Sequence, residues 1–189
     1  AVFVFCAGAG AAKFIKDYNA AGLRRQIPLF GSGFLTDGVL DAVDKAAEGL
    51  ETTLHYADGL NTKRDREFRA AYSKAYKSEP DVYAVQGYDA GLLLNIGLDA
   101  VKGDVTKKKE MIAAMEKAKI DSPRGPWTMS KAHNPVQDIY LRRVVGRENK
   151  MVSIAHKALA DPARHVPVRV QELDRRAAQR VDREAQARL

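Results

Sequence analysis

The feature of this sequence that most constrains its fold is an alternation of short apolar runs and helix-like segments in its first half. Residues 2–5 form a continuous β-branched and aromatic run, which predicts a strand buried on both faces. Small residues follow, and the next segment carries apolar side chains at helical spacing up to Gly22, which stands where a helix cap is expected. Residues 27–30 predict a second strand, and a helix over residues 39–47 comes after it. This order indicates an α/β fold with a parallel sheet and right-handed crossovers.

The remainder of the chain continues with further strands and helices. The patterns predict a strand over 50–56, helices over 63–76, 82–101 and 106–118, and a terminal β-hairpin formed by segments around Trp127, 139–141 and 151–154. Pro123, Gly125 and Pro126 end the last of these helices. The last 32 residues, 158–189, contain seven Arg and no Lys, so they differ in composition from the rest of the chain.

Composition excludes several classes of protein. With 46% hydrophobic and 29% charged residues, the chain belongs among globular proteins rather than collagens, disordered tails or membrane bundles. A single cysteine excludes a disulfide scaffold and a cysteine-based zinc finger. The net charge of +7 would favour nucleic acid only if it were clustered. Lys107-Lys108-Lys109 and Arg142-Arg143 are short and far apart, so we interpret both as solvated faces and expect no nucleic-acid partner.

The motifs give little support to catalysis. Gly8-Ala9-Gly10 follows a strand, yet the third glycine of a dinucleotide fingerprint is replaced by Lys13, so we expect a tight turn and no cofactor. Ser32 lacks the spacing of a nucleophile elbow, and Cys6 is more typical of a core residue. The four histidines, His55, His133, His156 and His165, are scattered, and we expect most of them at the surface and no metal site.

Two loops follow the predicted parallel strands and are the best candidates for a ligand site. Residues 6–10 and 31–34 lie at carboxyl ends of strands, where open α/β sheets bind ligands. Helix N-termini point to the same edge, which suits the carboxylate of a ligand. The alternative is that both are merely tight crossovers.

The order of several segments resembles a known family. VFVFCAGAGAAKFIKDYNAAGL, IPLFGSGFLTDGVL, AAEGLETTLHY, FRAAYSKAYKSEPDVYAVQGYDAGLLLNIGLDAV and GPWTMSKAHNPVQDIYLRRVV together resemble the periplasmic solute-binding proteins of ABC transporters, branched-chain amino acid type, over roughly residues 1–160. The resemblance implies a type I binding-protein fold, in which two α/β lobes close on a ligand. Because members are about twice as long, we expect this chain to be the C-terminal half, a three-layer parallel-sheet lobe without the sheet of the first lobe. We expect that sheet and a signal peptide to precede residue 1.

The resemblance also divides the chain. It assigns 1–78 to part of the second lobe, 79–121 to helices of the first lobe and 122–156 to a hairpin returning to the second lobe. Residues 157–189 do not match the usual end of the family, and from their composition we expect an Arg-rich tail that is disordered or a surface helix.

The resemblance further implies which residues contact the ligand. They are Ala7, Gly8 and Ala9 in the first loop, Ser32, Gly33 and Phe34 in the second, and Gln86 and Tyr88 on the long helix. Gly33 stands where amino acid binders carry an acidic residue, and without it a desolvated ammonium lacks a partner. Small loop residues with Phe34 and Tyr88 favour an aromatic acid over a branched-chain amino acid. For Tyr88, simple core packing is an equally good interpretation.

The expected function is therefore that of a periplasmic substrate-binding component of an ABC importer. It would hold a small carboxylate ligand between two lobes and deliver it to the membrane subunits of the permease, without catalysis, cofactor or insertion into the membrane. Two alternatives remain open: a ligand-sensing domain of a regulator, and a small α/β enzyme domain that uses the loop at residues 8–10 or Ser32.

Overall fold

The computed structural model describes residues 1–159. Seven strands and five α-helices lie within this range. In chain order they are β1 (Val2–Val4), α1 (Gly8–Ala20), β2 (Leu29–Ser32), α2 (Leu40–Val43), β3 (Glu51–Leu54), α3 (Lys63–Tyr76), α4 (Val82–Ala100), α5 (Lys108–Glu116), β4 (Lys119–Ile120), β5 (Trp127–Met129), β6 (Pro135–Val145) and β7 (Glu148–Leu159). The expectations about residues 160–189 lie outside the described residues.

The strands form one mixed sheet in the order β1-β2-β3-β6-β5-β4, with β7 on β6. Strands β1, β2 and β3 are parallel, whereas β6 runs antiparallel to β3 and β7 antiparallel to β6. The long strand β6 pairs with β5 through Pro135 and Val136 and with β3 further along. Val4, Gly31 and Thr52 stand side by side in the register, so the carboxyl ends of the three parallel strands are level.

One face of the parallel strands carries the main core. Its buried side chains are Ala11, Ile15, Tyr18, Leu29, Leu35, Val39, Leu40, Val43, Ala47, Leu50 and Val144, with Val2 and Val4 packed against them. On the opposite face Phe3 and Phe5 are 68% and 73% exposed. The expectation that residues 2–5 are buried on both faces is therefore wrong, because the described helices cover only the side of Val2 and Val4.

Two smaller cores attach the long helices. The first contains Leu54, Tyr56, Phe68, Val82 and Val85 and joins α3 and α4 to the end of β3. The second contains Ala118, Ile120 and Trp127, against which Leu92, Leu93 and Ile96 of α4 pack. Helices α4 and α5 approach closely at Gly97, where a Cβ atom would lie 2.9 Å from Met111 Cγ. Among residues 1–159, no helix combines the length and apolarity needed to cross a bilayer.

Element boundaries agree with the patterns where local signals are strong. Helix α3 spans the predicted residues 63–76, and its N-cap Thr62 accepts a hydrogen bond from the Asp65 backbone N–H. Strand β2 begins two residues later than predicted, because the N–H of Ile27 bonds to the carbonyl of Leu23 and Pro28 has no N–H to give. The hairpin β6–β7 continues to Leu159, five residues past the end of the predicted segment 151–154.

Candidate ligand-binding site

The level ends of the parallel strands bring three chain segments to one edge of the sheet. The segment after β1 contributes Phe5, the segment after β2 contributes Phe34, and α4 lies across them with Tyr83. The Phe34 ring meets Phe5 edge-on at 6.1 Å and stacks on Tyr83 at 6.2 Å. Phe5 and Tyr83 were not among the predicted site residues, because their alternation and spacing are equally typical of core positions. The edge therefore has an aromatic side.

Helix α4 supplies a row of three contacts along this edge. Tyr83, Gln86 and Asp89 follow one another at three-residue spacing, so they lie on neighbouring turns of one side of the helix. Tyr83 stacks on Phe34. Gln86 lies 3.1 Å from His55, measured between Nε2 atoms. Asp89 accepts hydrogen bonds from Arg124 and Trp127. The row runs from an aromatic end to a polar end.

His55, the first residue after β3, is half-buried at the polar end of this row. Burial, assisted by the positive charges of Arg124 and Arg142, lowers its pKa to about 4. The imidazole is therefore neutral at physiological pH. Its Nδ1 atom has no hydrogen-bond partner among the described residues. His55 is therefore not among the histidines expected at the surface, because α4 and the segment around Arg124 pack against this strand end.

Arg124 is the charged group at the polar end, and its residue is only 6% exposed. Its Nε donates to Asp89 Oδ2 at 2.5 Å, and Trp127 Nε1 donates to the same oxygen at 3.0 Å. The guanidinium also lies over the Trp127 ring, 5.1 Å from its centroid. The sequence analysis missed Arg124, whose only signal is its position between Pro123 and Gly125 in a short rigid segment.

Arg142 forms the floor of the site and is 1% exposed. Its Nη2 donates to Asp37 Oδ2 at 2.7 Å and to the Gly33 carbonyl at 3.1 Å. The interpretation of Arg142-Arg143 as a solvated face is therefore wrong for Arg142. Neighbouring residues of a strand point to opposite faces, so only Arg143 turns outward, where it pairs with Glu51. Burial raises the pKa of Asp37, and the neighbouring Arg142 opposes that rise.

The packing of Leu54 and Arg142 around position 33 leaves room only for glycine. A Cβ atom there would lie 2.5 Å from Leu54 Cβ and 2.6 Å from Arg142 Nη2. No side chain fits, which gives a steric reason for the absence of an acidic residue at this position.

The other predicted site residues lie in different environments, most of them after β1 and β2 and one within a core. Ala7, Gly8 and Ala9 are exposed at the start of α1, and Gly8 has the left-handed φ of 58° that favours glycine. Ser32 ends β2, and its buried Oγ has no hydrogen-bond partner within residues 1–159. The Tyr88 ring packs against Phe68 at 4.9 Å, within the core between α3 and α4. The role of Tyr88 in binding stays a prediction.

The aromatic side of this edge is open to solvent, with Phe5 73% and Tyr83 48% exposed. A cavity of about 190 Å³ lies elsewhere, between the start of α3 and the segment 121–126. There Arg64 is already bound by Asp121 at 2.9 Å. Within residues 1–159, no three His, Cys, Asp or Glu side chains are grouped as metal ligands.

Comparisons with known proteins agree on the kind of molecule. Residues 1–149 match the family model described as periplasmic binding protein. A solute-binding protein of an ABC transporter from R. palustris, solved in complex with benzoate, shares 51% identity over 86% of this chain, with a TM-score of 0.81. A solute-binding protein of an ABC transporter from Rhodopseudomonas palustris BisB5, solved with 3,4-dihydroxybenzoic acid, shares 31% identity over 86% of the chain, with a TM-score of 0.76.

A leucine-binding protein from Thermotoga maritima has the same fold, at 15% identity over 80% of this chain and 43% of its own, with a TM-score of 0.68. The chain covers 44% and 46% of the two Rhodopseudomonas proteins, so it spans about half the length of these relatives. A comparison with curated proteins finds no match.

Proposed function

The chain belongs to the periplasmic binding protein family, and from that membership we propose that it is part of the substrate-binding component of an ABC importer that captures a small aromatic carboxylate. In this proposal the ligand lies at the sheet edge of Phe34, between the described lobe and a second lobe. Closure of the two lobes presents the ligand to the permease subunits on the periplasmic side of the membrane. The component binds and transfers its ligand without chemical change.

The observation that carries the choice of ligand is that two carboxylates at this edge are already paired with arginines. Among the described residues, Asp37 is held by Arg142 and Asp89 by Arg124. The ammonium of an amino acid would need a carboxylate of its own once it leaves water. An aromatic acid has no ammonium, and its ring suits the faces of Phe34 and Tyr83. The benzoate bound to the relative with 51% identity supports the same class of ligand.

The long helices support a second lobe that packs on them. We propose that residues 79–121 belong to the first lobe, whereas residues 1–78 and the hairpin 122–156 belong to the second. Leu94 and Ile112, on α4 and α5, are 49% and 50% exposed, which leaves apolar surface for another sheet to cover. Strand β6 of the hairpin pairs directly with β3, which supports the proposal that the hairpin belongs to the same lobe as residues 1–78.

Calorimetric titration tests the choice of ligand. The full chain is titrated in separate experiments with benzoate, 4-hydroxybenzoate and leucine. We expect binding of at least one aromatic acid and at least tenfold weaker binding of leucine, because leucine leaves its ammonium unpaired. Leucine binding as tight as that of the aromatic acids contradicts the proposal, and so does the absence of binding by both aromatic acids.

A further inference from the structure

The polar end of the α4 row contains unused hydrogen-bond donors on a buried cation. Arg124 has five N–H groups, and among the described residues only Nε has a hydrogen-bond partner. Among the described residues its Nη1 and Nη2 groups have no hydrogen-bond partner, and they keep access to solvent although the residue as a whole is only 6% exposed. Accessible donors on a largely buried guanidinium beside a ligand site are available to a ligand atom, and hydrogen bonds from a charged donor are strong.

Two independent contacts bring Arg124 and His55 together. Gln86 and Asp89 are three residues apart on one side of α4, and they contact His55 and Arg124 respectively. Tyr140, which stands opposite Leu54 in the sheet, donates from Oη to the Arg124 carbonyl at 2.6 Å. His55 directly follows Leu54. The free Nη groups of Arg124 and the free Nδ1 of His55 therefore belong to one cluster.

The distance along α4 from Tyr83 to Asp89 is comparable to the length of an aromatic ring that carries a substituent. From Tyr83 to Asp89 the helix rises about 9 Å, at roughly 1.5 Å per residue. A ring beside Phe34 and Tyr83 thus places a substituent on its far side near His55 and Arg124. We propose that Arg124 and His55 together bind an oxygen substituent on the ligand ring, the hydroxyl of a 4-hydroxybenzoate-like acid, and so determine which aromatic acids are accepted. The inference rests on the proposed function, because it assumes an aromatic ligand.

Charge balance favours a hydroxyl over a second carboxylate at this position. Asp89 already neutralises Arg124 across 2.5 Å. The buried cluster has no net charge to offset another anion, whereas a neutral oxygen uses the free donors without adding charge. A phenol hydroxyl accepts from Arg124, and it also hydrogen-bonds with the neutral imidazole of His55, which serves as donor or acceptor according to its tautomer.

Titration of the full chain with three acids tests the inference. Benzoate lacks the substituent, 4-hydroxybenzoate carries a hydroxyl and terephthalate carries a second carboxylate. We expect the affinity for 4-hydroxybenzoate to be at least about tenfold higher than the affinity for benzoate, because the hydroxyl adds hydrogen bonds to a charged group. Arg124→Lys and His55→Leu should each reduce that preference toward one.

Matched controls separate the cluster from general effects. Arg143→Lys changes an outward arginine in an ion pair, and His133→Leu changes an exposed histidine, so both should keep the preference for 4-hydroxybenzoate. His55→Leu leaves the Arg124–Asp89 pair intact and keeps the test valid if Arg124→Lys fails to fold.

The outcomes distinguish the two proposals. Benzoate binding without a preference for the hydroxyl, or a preference that survives both substitutions, overturns the inference and leaves the proposed function standing. Terephthalate as the tightest ligand overturns the assignment of a neutral oxygen. A chain that binds none of the three acids contradicts the proposed function itself, and the inference with it.

Discussion

At the scale of single residues, the ion pair between Arg142 and Asp37 joins β6 to the turn after β2. Both side chains are almost fully buried, and Arg142 also donates to the carbonyls of Gly33 and Tyr56. We expect Asp37→Ala to cost about 3–5 kcal/mol of unfolding free energy, because it leaves a buried cation without its partner. Urea unfolding monitored by Trp127 fluorescence measures the change.

The outward pair of Arg143 and Glu51 provides the control. Arg143→Ala removes a partly exposed pair and should cost about 1 kcal/mol or less. Equal losses in the two variants would mean that burial of Arg142 does not govern the effect.

His55 couples the stability of the edge to pH. Its folded pKa of about 4 lies below the ordinary value of 6.5, so the unfolded chain binds the proton more readily. Above pH 6.5 the imidazole is neutral in both the folded and the unfolded chain, so its burial costs no stability. As pH falls from 6.5 toward 4, the unfolded chain is protonated first and the unfolding free energy decreases. At about 1.4 kcal/mol per pKa unit, the loss is on the order of 2–3 kcal/mol.

Comparison with His55→Asn isolates this effect. Burial raises the pKa values of Asp37, Asp58 and Asp65, which favours the folded state at low pH in both proteins and cancels in the difference. The unfolding free energy of the parent chain minus that of the variant should decrease as the pH is lowered from 7 to 4. His133→Asn, at an exposed position, serves as the control, and an unchanged difference for His55→Asn would refute the prediction.

At the scale of elements, α3 depends on its capping residue. The Thr62 hydroxyl accepts the Asp65 N–H at 3.0 Å, one of the N–H groups left unpaired at a helix start. We expect Thr62→Ala to lower the unfolding free energy by about 1 kcal/mol, measured by denaturant unfolding. Thr128→Ala, at an exposed strand position, removes the same atoms without a cap; a loss as large in this control would exclude capping as the cause.

The elements also show which parts of the secondary structure a local sequence pattern can predict. Helix α3 was predicted to the residue, because an amphipathic pattern and a cap are local signals. The predicted helix over 39–47 is instead a four-residue α2 followed by a 3-10 turn, and Asp44 adopts a φ of 44°. Phe34 and Gln86 were identified from resemblance and do lie at the candidate edge.

His55, Arg124 and Arg142 could not be placed from sequence. Their environments depend on partners 31, 35 and 105 residues away, which no local pattern contains. Arg142 and Arg143 are identical and adjacent in the sequence, and only the pairing of β6 with β3 decides which of them is buried. Buried polar networks of this kind are specified by the assembled sheet.

At the scale of the whole molecule, the open face of the sheet predicts self-association. Phe3 on β1 and Phe5 directly after it are 68% and 73% exposed, and β1 is an edge strand of the described sheet. Apolar side chains on an uncovered edge strand favour contact with a second copy. Phe3→Ser should shift the sedimentation profile of the full chain toward monomer, whereas Tyr76→Ser, at an equally exposed position at the end of α3, should not. A monomeric parent chain at high concentration contradicts the prediction.

The placement of β6 has a consequence for the synthesis of the chain. Strand β3 lies beside β6 in the finished sheet, yet Thr52 and Arg142 are 90 residues apart. A ribosome adds about 5–20 residues per second, so β3 waits roughly 5–18 s for its neighbour. During that interval its backbone groups are open to strands of other nascent chains. A holding chaperone that shields this segment should therefore raise the yield of folded protein more than one that acts after release.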